Sequence, residues 1–115
     1  MLACVATAAL MACGRQVPPQ PGPGDPARGQ VALHQYGCRS CHVIPGVTGA
    51  KVYVGPPLSG IATRNYIAGR LPNTRENRVQ WLREPQRLDP ETAMPALGVT
   101  VGHAHDIAAY LEGLR

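Results

Sequence analysis

The pattern of apolar positions is clearest near the C-terminus, where it predicts a helix. Ile107, Tyr110, Leu111 and Leu114 follow the i, i+3, i+4, i+7 spacing that places side chains on one helical face. Thr100 precedes this stretch and belongs to the residue types that cap helix N-termini. We therefore predict a C-terminal helix that starts after Thr100 and buries one apolar face.

Asp25 and Pro26 mark the start of an earlier helix, because aspartate is a favoured N-cap and proline suits the first helical position. This helix is expected to end at Gly37. Gly29 and Leu33 share one face, and a glycine on that face lets a second helix cross closely. The C-terminal helix is the expected partner.

A third helix is predicted over residues 76–83, with Thr74 as its N-cap and Pro85 as its end. Val79 and Leu82 form the apolar side of this helix. We expect that side to pack against the rest of the domain.

The remaining stretches between these helices have weaker patterns. Residues 65–71 are predicted to form another short helix. Residues 43–64 and 85–99 are rich in turn-forming residues and prolines, and both are predicted to be loops.

The first 13 residues are apolar and small, and they predict a signal peptide. The stretch is shorter than the ~20 residues that span a bilayer. Its end, LMAC, resembles a bacterial lipobox, which predicts a signal peptide over residues 1–12 and a lipid on Cys13. Because no Lys or Arg precedes the apolar run, an ordinary cleaved signal stays open. Both interpretations place the domain outside the cytoplasm, on the periplasmic side of the bacterial inner membrane.

Residues 13–24 are predicted to be a proline-rich linker behind the lipid anchor. Five prolines between Pro18 and Pro26 favour an extended and fairly stiff chain. At ~3.1 Å per residue, such a linker reaches on the order of 40 Å from a membrane. The folded domain is then expected over residues 25–115.

Composition indicates a core that is completed by a bound group. The chain has 115 residues, no Phe, one Trp and four Tyr, which is a poor supply of large apolar side chains for one small domain. The formal charge is +4 and favours an acidic partner surface. No basic run with interleaved aromatic residues appears, so nucleic acid is not an expected partner.

The sequence CRSCH at residues 38–42 is the spacing of a c-type haem attachment site. In a helical turn Cys38 and Cys41 share a face and can reach two vinyl groups of a porphyrin, while His42 can ligate the iron. The alternatives are a disulfide, a thioredoxin-like redox pair and half of a zinc site. No βαβ context supports the redox pair, and haem c is therefore favoured.

Met94 is the candidate for the second axial ligand. It is the only methionine beyond the predicted signal peptide, and it lies in a proline-rich loop rather than on a helical stripe. Ligation by histidine and methionine suits electron transfer. An open site or a second histidine remain as rivals; the histidines available, all expected to be solvated, are His34, His103 and His105.

Two further residues have both a functional and a structural interpretation. Trp81 is either a core residue or a side chain stacked on the haem near Met94. Arg64 is either solvated or paired with a haem propionate, and a proline carbonyl in the 43–64 loop could hold His42. A solvated basic face is expected from Arg70, Arg75, Arg78, Arg83 and Arg87.

Over residues 25–115 the sequence resembles class I monohaem cytochromes c. The motifs that carry this resemblance are GCRSCH at 37–42, GPPLSG at 55–60, PQRLDPETAMP at 85–95 and DIAAYL at 106–111. The sequence departs from the best-known members in having Leu33 where an aromatic residue is usual, and one lysine in total. A lysine-ring docking surface is therefore not carried over.

The resemblance implies an all-α, small cytochrome c fold, with three to five short helices and long loops wrapped round one covalently bound haem c. It implies crossing of the first and last helices at Gly29 and Tyr110. The implied site has thioethers on Cys38 and Cys41 and axial ligation by His42 and Met94. Pro56 would hold His42 through its carbonyl, Arg64 would approach a propionate, and Trp81 would line the haem.

The expected function is electron transfer by one haem that cycles between Fe(III) and Fe(II) in a respiratory chain, with no small-molecule substrate and no enzymatic activity. Residues 81–111 also resemble the cytochrome c domains of bacterial haem–copper oxidases, so the expected redox partner is such an oxidase or a quinol–cytochrome c reductase. The alternatives are a permanently bound electron-entry subunit of an oxidase or dehydrogenase, and a haem enzyme or gas sensor in which Met94 is displaced.

Overall fold

The computed structural model describes residues 22–115, which contain four helices and one small β-hairpin. The predicted signal peptide and most of the predicted linker lie outside the described residues. The elements are α1 (Pro26–Gln35), β1 (Tyr66–Ile67), β2 (Leu71–Pro72), α2 (Arg75–Arg83), α3 (Pro85–Leu88) and α4 (Val101–Glu112). The predicted fold class is confirmed, with the hairpin as an addition.

Helix α1 begins at the predicted residue and ends at Gln35, two residues before the predicted Gly37. The Asp25 carboxylate accepts a hydrogen bond from the backbone N–H of Arg28 at 2.9 Å, and Pro26 occupies the first helical position. Beyond the last turn, Gly37 adopts a left-handed conformation with φ of 69°. A residue with a side chain would be strained there, so glycine ends the helix and turns the chain toward Cys38.

Helix α4 is capped by Thr100, whose hydroxyl accepts from the backbone N–H of His103 at 3.2 Å. The buried face of the helix consists of Ala104, Asp106, Ile107, Ala108 and Leu111. Small and branched apolar side chains on one face allow both α1 and α2 to pack against this helix.

Helices α1 and α4 cross at Gly29, as the sequence predicts. A Cβ atom on Gly29 would overlap the carbonyl oxygen of Asp106, so the two backbones are in direct contact. The prediction that Tyr110 faces Gly29 at this crossing was wrong. Tyr110 lies one turn farther along α4, and its hydroxyl donates to the carbonyl oxygen of Pro45 at 2.6 Å.

Helix α2 starts after Thr74, whose hydroxyl accepts from the backbone N–H of Asn77 at 3.2 Å. Val79 and Leu82 are buried as predicted. Pro85 ends α2 but also begins α3, so the prediction of a loop throughout 85–99 was wrong at its start. Proline is well suited to a first helical position because no partner is needed for an N–H there.

The predicted short helix over 65–71 was wrong, because these residues belong to the hairpin. Ala68 and Gly69 both have positive φ, at 50° and 77°, and the backbone N–H of Arg70 donates to the carbonyl of Ile67 at 3.1 Å. Two successive positive φ angles reverse the chain tightly, which a right-handed helix does not allow. The buried side chain of Ile67 and the partly buried side chain of Leu71 anchor the hairpin to the core.

The core of the described domain is assembled from small contributions, since the chain has no Phe. The largest fully buried side chains are Leu33, Ile107 and Pro85. No helix within residues 22–115 is long and apolar enough to cross a membrane.

Candidate functional site

A cavity of about 440 Å³ lies between the end of α1, the 43–64 loop, the hairpin, α2 and the loop that follows α3. A volume in this range is typical of sites for small molecules and cofactors. The structure brings all the site residues that the sequence predicts to the wall of this one cavity: Cys38, Cys41, His42, Pro56, Arg64, Trp81 and Met94. Their chemical roles remain predictions.

The CRSCH sequence forms a tight helical turn at the cavity wall. Residues Cys38–Ser40 are a 3₁₀ helix, and the backbone N–H groups of Cys41 and His42 both donate to the carbonyl of Cys38, at 3.2 and 3.0 Å. Both cysteines are half-buried free thiols. The turn therefore presents two thiols and one imidazole to the same space.

Burial raises the pKa of the Cys38 thiol, and the neighbouring Cys41 acts in the same direction. A thiol of this kind is protonated at neutral pH. Redox-active cysteine pairs have a lowered pKa instead, because the thiolate is the nucleophile. The electrostatics of this turn thus do not match a thioredoxin-like pair.

The His42 imidazole is held by the 43–64 loop. Its Nδ1 lies 2.7 Å from the carbonyl oxygen of Pro56, so Nδ1–H donates and Nε2 keeps its lone pair, on a side chain that lines the cavity. Two backbone hydrogen bonds tie the loop to the motif: Gly55 N–H to the carbonyl of Cys41 at 2.8 Å, and Leu58 N–H to that of Val43 at 2.9 Å. The backbone therefore fixes the ring.

Met94 reaches the cavity from the loop after α3, where its side chain is half-buried. Its backbone N–H donates to the Thr92 hydroxyl at 3.2 Å, and its carbonyl accepts from the Gln86 amide at 2.6 Å. These bonds hold the main chain of a loop without regular structure. These two main-chain hydrogen bonds therefore position the Met94 thioether at the cavity wall.

The three other histidines do not line this cavity. His34 is exposed on α1, as expected. His103 was expected to be solvated, and this was wrong: it is half-buried, with Nδ1 2.8 Å from the Tyr36 hydroxyl. His105 is also half-buried, contrary to expectation. His103 turns toward α1 because the first turn of α4 packs beside Tyr36 at the end of that helix.

Arg64 and Trp81 lie on different walls of the cavity. The Arg64 guanidinium is exposed and donates through one nitrogen to the carbonyls of Pro57 at 2.6 Å and Ser59 at 3.1 Å. These acceptors are neutral, so the positive charge is left without a carboxylate partner among the residues described. Trp81 is half-buried and packs against the core.

The solvated basic face was a wrong prediction for two of its five arginines. Arg78 is only 7% exposed and lines the cavity, and Arg75 forms an ion pair with Glu112 of α4. The helical pattern contained a signal for Arg78, because it lies three residues before Trp81 and four before Leu82 and therefore shares their face. Arg70, Arg83 and Arg87 are exposed, as predicted.

Glu112 is the carboxylate between Arg75 and Arg78. Burial acts to raise its pKa, but the hydrogen bonds and charges of the two arginines outweigh burial and hold the pKa below its ordinary value. Glu112 is therefore ionised at neutral pH. It connects the C-terminal turn of α4 to α2 at the side of the cavity.

Across residues 22–115, no group of three or more Cys, His, Asp or Glu side chains is placed to share a metal ion. The zinc alternative for the CRSCH motif would need further ligands of these types beside Cys38, Cys41 and His42. Asp89 lines the same cavity but is paired with Arg70, and the fold also brings there the Met94 thioether, which suits haem iron and not a structural zinc ion.

Comparisons with known proteins give one sequence relative and a structural neighbour. No family model matches the chain. The chain is 33% identical over 89 residues to cytochrome c oxidase subunit 2 of Alkalihalophilus pseudofirmus, a match that covers 76% of this chain. The chain spans about a quarter of the length of that relative, 25%. Cytochrome c2 of Rhodobacter sphaeroides matches in structure with a TM-score of 0.62 and 24% identity, over 79% of this chain and 96% of that one.

Proposed function

We propose, from the premise that this chain has the fold of the class I c-type cytochromes, that it binds one haem covalently and transfers single electrons. The observation that carries the proposal is the shared cavity, which brings the CRSCH turn and Met94 together. More than 50 positions of sequence separate the CRSCH turn from Met94, and the fold brings them to the walls of the same cavity.

The residues present fit a haem. Two free thiols stand one turn apart, and His42 has its Nδ1 engaged with Pro56, which leaves Nε2 as the free donor atom. The rest of the wall is mainly apolar, from side chains such as Leu33, Leu58, Ile61, Ile67, Leu82 and Leu111. Burying such surface against a porphyrin would contribute roughly 25 cal/mol per Å². A chain without Phe would thereby complete its core.

When bound, the haem supplies an iron that takes up and releases one electron. Cys38 and Cys41 would attach the macrocycle through thioethers, and His42 would ligate the iron. The Pro56 carbonyl fixes the tautomer and orientation of the imidazole. Met94 would supply a second protein ligand to the iron, and its thioether would favour a higher potential than a second histidine would. The apolar wall excludes water, which keeps the surroundings of the site similar in both oxidation states.

The experiment is a redox titration of the mature protein, produced in a bacterium that attaches haem c. We expect one haem mass on the chain, a reversible one-electron transition, and no binding of CO by the reduced protein at neutral pH. Met94→Ala should open the site to CO. Leu97→Ala, an exposed apolar position on the same loop, is the matched control and should behave like the wild type. A chain that acquires no haem, or a wild type that binds CO rapidly, would overturn the proposal.

A second candidate function is a fixed electron-entry subunit of a terminal oxidase. The relative from Alkalihalophilus pseudofirmus, itself named a cytochrome c oxidase subunit, favours it. Copurification with an oxidase in mild detergent supports the fixed subunit, whereas complete recovery as a free monomer supports the shuttle. In either case the partner surface is expected to be acidic, since this chain carries a net charge of +4.

We also propose that the domain acts on the periplasmic side of the inner membrane, held by a lipid on Cys13. The support is the sequence around Cys13, LMAC, and the proline-rich stretch behind it. Mass spectrometry of the mature protein tests this proposal directly. A mass that begins at Cys13 with added diacylglycerol agrees with it, and a mature chain that lacks Cys13 contradicts it.

A further inference from the structure

A buried arginine lies at the cavity wall without a role in the function proposed above. Arg78 is only 7% exposed, and it lines the same cavity as Trp81 and Met94. Burying an arginine is costly unless the charge is paired and hydrogen-bonded. The contacts of the Arg78 side chain therefore indicate which group its charge can stabilise.

The guanidinium is fixed by two neighbours. One terminal nitrogen donates to the Asn73 side-chain oxygen at 2.8 Å, and the other donates to a Glu112 carboxylate oxygen at 2.8 Å. Asn73 is itself anchored, because its amide nitrogen donates to the carbonyls of Ile61 at 2.8 Å and Arg64 at 2.7 Å. The third nitrogen of Arg78, Nε, is buried and has no hydrogen-bond partner within the described part of the chain.

The charges at this point do not balance. Glu112 is shared between Arg78 and Arg75, so one carboxylate faces two guanidinium groups. Arginine stays protonated at any ordinary pH. The side chain of Arg75 is 30% exposed and that of Arg78 only 9%, so water screens the first charge more than the second. The unbalanced positive charge therefore lies mainly at the cavity wall.

We infer that Arg78 is an electrostatic positioning residue for the haem: its buried guanidinium serves as counter-charge to a propionate carboxylate and stabilises the reduced form. The inference rests on the proposed function. The haem would bring its propionate carboxylates into this cavity, whereas the Asp89 carboxylate at the wall is already paired with Arg70. Addition of one electron lowers the charge of the iron site by one unit, and a fixed cation in poorly solvated surroundings favours that step. Arg64, which is exposed and bonded to carbonyls, has a weaker effect because water screens it.

Two substitutions that break the same ion pair test this inference, because they should shift the reduction potential in opposite directions. Arg78→Gln removes the cation, and we expect the equilibrium constant for one-electron reduction to fall about tenfold, a shift of about 59 mV downward. Glu112→Gln removes the carboxylate and should raise the potential. A purely structural pair would lose stability in both variants without shifts of opposite sign.

Two controls complete the experiment, with the potential and the free energy of unfolding measured for each holoprotein. Arg78→Lys keeps the charge and should retain most of the wild-type potential. Arg83→Gln removes an exposed arginine from the same helix, outside the cavity wall, and should leave the potential unchanged. If Arg78→Gln does not fold, an unchanged or lowered potential in Glu112→Gln overturns the inference.

The failure of this inference is distinguishable from failure of the proposed function. A protein that binds haem and titrates reversibly, but whose potential is the same in wild type, Arg78→Gln and Glu112→Gln, contradicts the role of Arg78 alone. A protein that binds no haem contradicts the proposed function before any potential is measured.

Discussion

The His42 imidazole packs on the backbone of the loop that also accepts its hydrogen bond, with 2.7 Å between Nδ1 and the carbonyl oxygen of Pro56. Gly55, the residue before, faces the ring. A Cβ atom on Gly55 would overlap Cε1 of the imidazole and lie 2.7 Å from Nδ1. The orientation of His42 is therefore set by main-chain atoms on two sides, and a glycine is required at one of them.

Gly55→Ala should displace the His42 ring from Pro56. We expect overpacking to cost about 1–3 kcal/mol of stability and, under the proposed function, to weaken axial ligation. The measurements are the haem content of the purified protein, its absorption spectrum, and NMR signals of the axial ligands. Gly102→Ala is the control, because nothing lies within 4 Å of a Cβ at that position. Unchanged ligand signals in Gly55→Ala would show that the ring has room to adjust.

Gly29→Ala should be severely destabilising, because the added methyl group would overlap the carbonyl oxygen of Asp106 in α4. Backbone atoms of two packed helices have little freedom to move, so we expect a loss of about 3 kcal/mol or more in the free energy of unfolding. Chemical denaturation of the holoprotein measures it. Gly102→Ala, also in a helix but in open space, should instead stabilise by up to about 1 kcal/mol. Equal effects of the two substitutions would contradict the close crossing.

Helices α1, α2 and α4 and the candidate site were predictable because their signals are local. Asp25, Thr74 and Thr100 each accept a backbone hydrogen bond from three residues onward, as an N-cap does. The CRSCH spacing and the single methionine beyond the predicted signal peptide pointed to residues that the structure places in one cavity. Capping residues, motif spacing and composition can all be recognised in the sequence without knowledge of tertiary contacts.

The features that the sequence did not reveal depend on contacts between distant parts of the chain. Arg78 shares a helical face with Trp81 and Leu82, but its ion pair with Glu112 of α4 and its hydrogen bond to Asn73, the residue after β2, depend on tertiary structure. His103 is withdrawn from solvent by Tyr36 of α1. The hairpin at 66–72 depends on a positive φ at Ala68, which residue type alone does not favour. In each case tertiary structure outweighs local preference.

Tyr36→Phe should weaken the junction between α1 and α4. The Tyr36 hydroxyl lies 2.8 Å from Nδ1 of His103 and accepts from the backbone N–H of Thr100 at 3.3 Å. Losing both bonds at a partly buried position should cost about 1–2 kcal/mol. Tyr53→Phe is the matched control, since Tyr53 is 82% exposed and its loss of a hydroxyl should be within about 0.5 kcal/mol. Comparable losses in both variants, measured by thermal denaturation, would argue against a bond at the junction.

Asp106 provides a pH-dependent link between the same two helices. Its buried carboxylate accepts from the Asp25 backbone N–H at 2.7 Å and from Arg28 at 3.0 and 3.1 Å. The hydrogen bond from Arg28 outweighs burial, which acts in the opposite direction, and holds the pKa of Asp106 below its ordinary value. Folding is thereby coupled to the ionisation of this group.

Asp106→Asn should therefore destabilise the protein at neutral pH and have little effect in acid. Because the folded-state pKa is lowered, the stabilisation is complete above the unfolded-state pKa of about 4 and is lost as pH falls through the folded-state value. We expect a loss of about 1.5–3 kcal/mol at pH 7, toward the lower end because Arg28 is 68% exposed. Denaturation of both proteins from pH 7 to pH 2 measures the difference.

Glu84→Gln, in an exposed pair with Arg87, is the control and should change stability by less than about 0.5 kcal/mol throughout. A difference between wild type and Asp106→Asn that stays constant down to pH 2 would mean that the carboxylate charge contributes nothing.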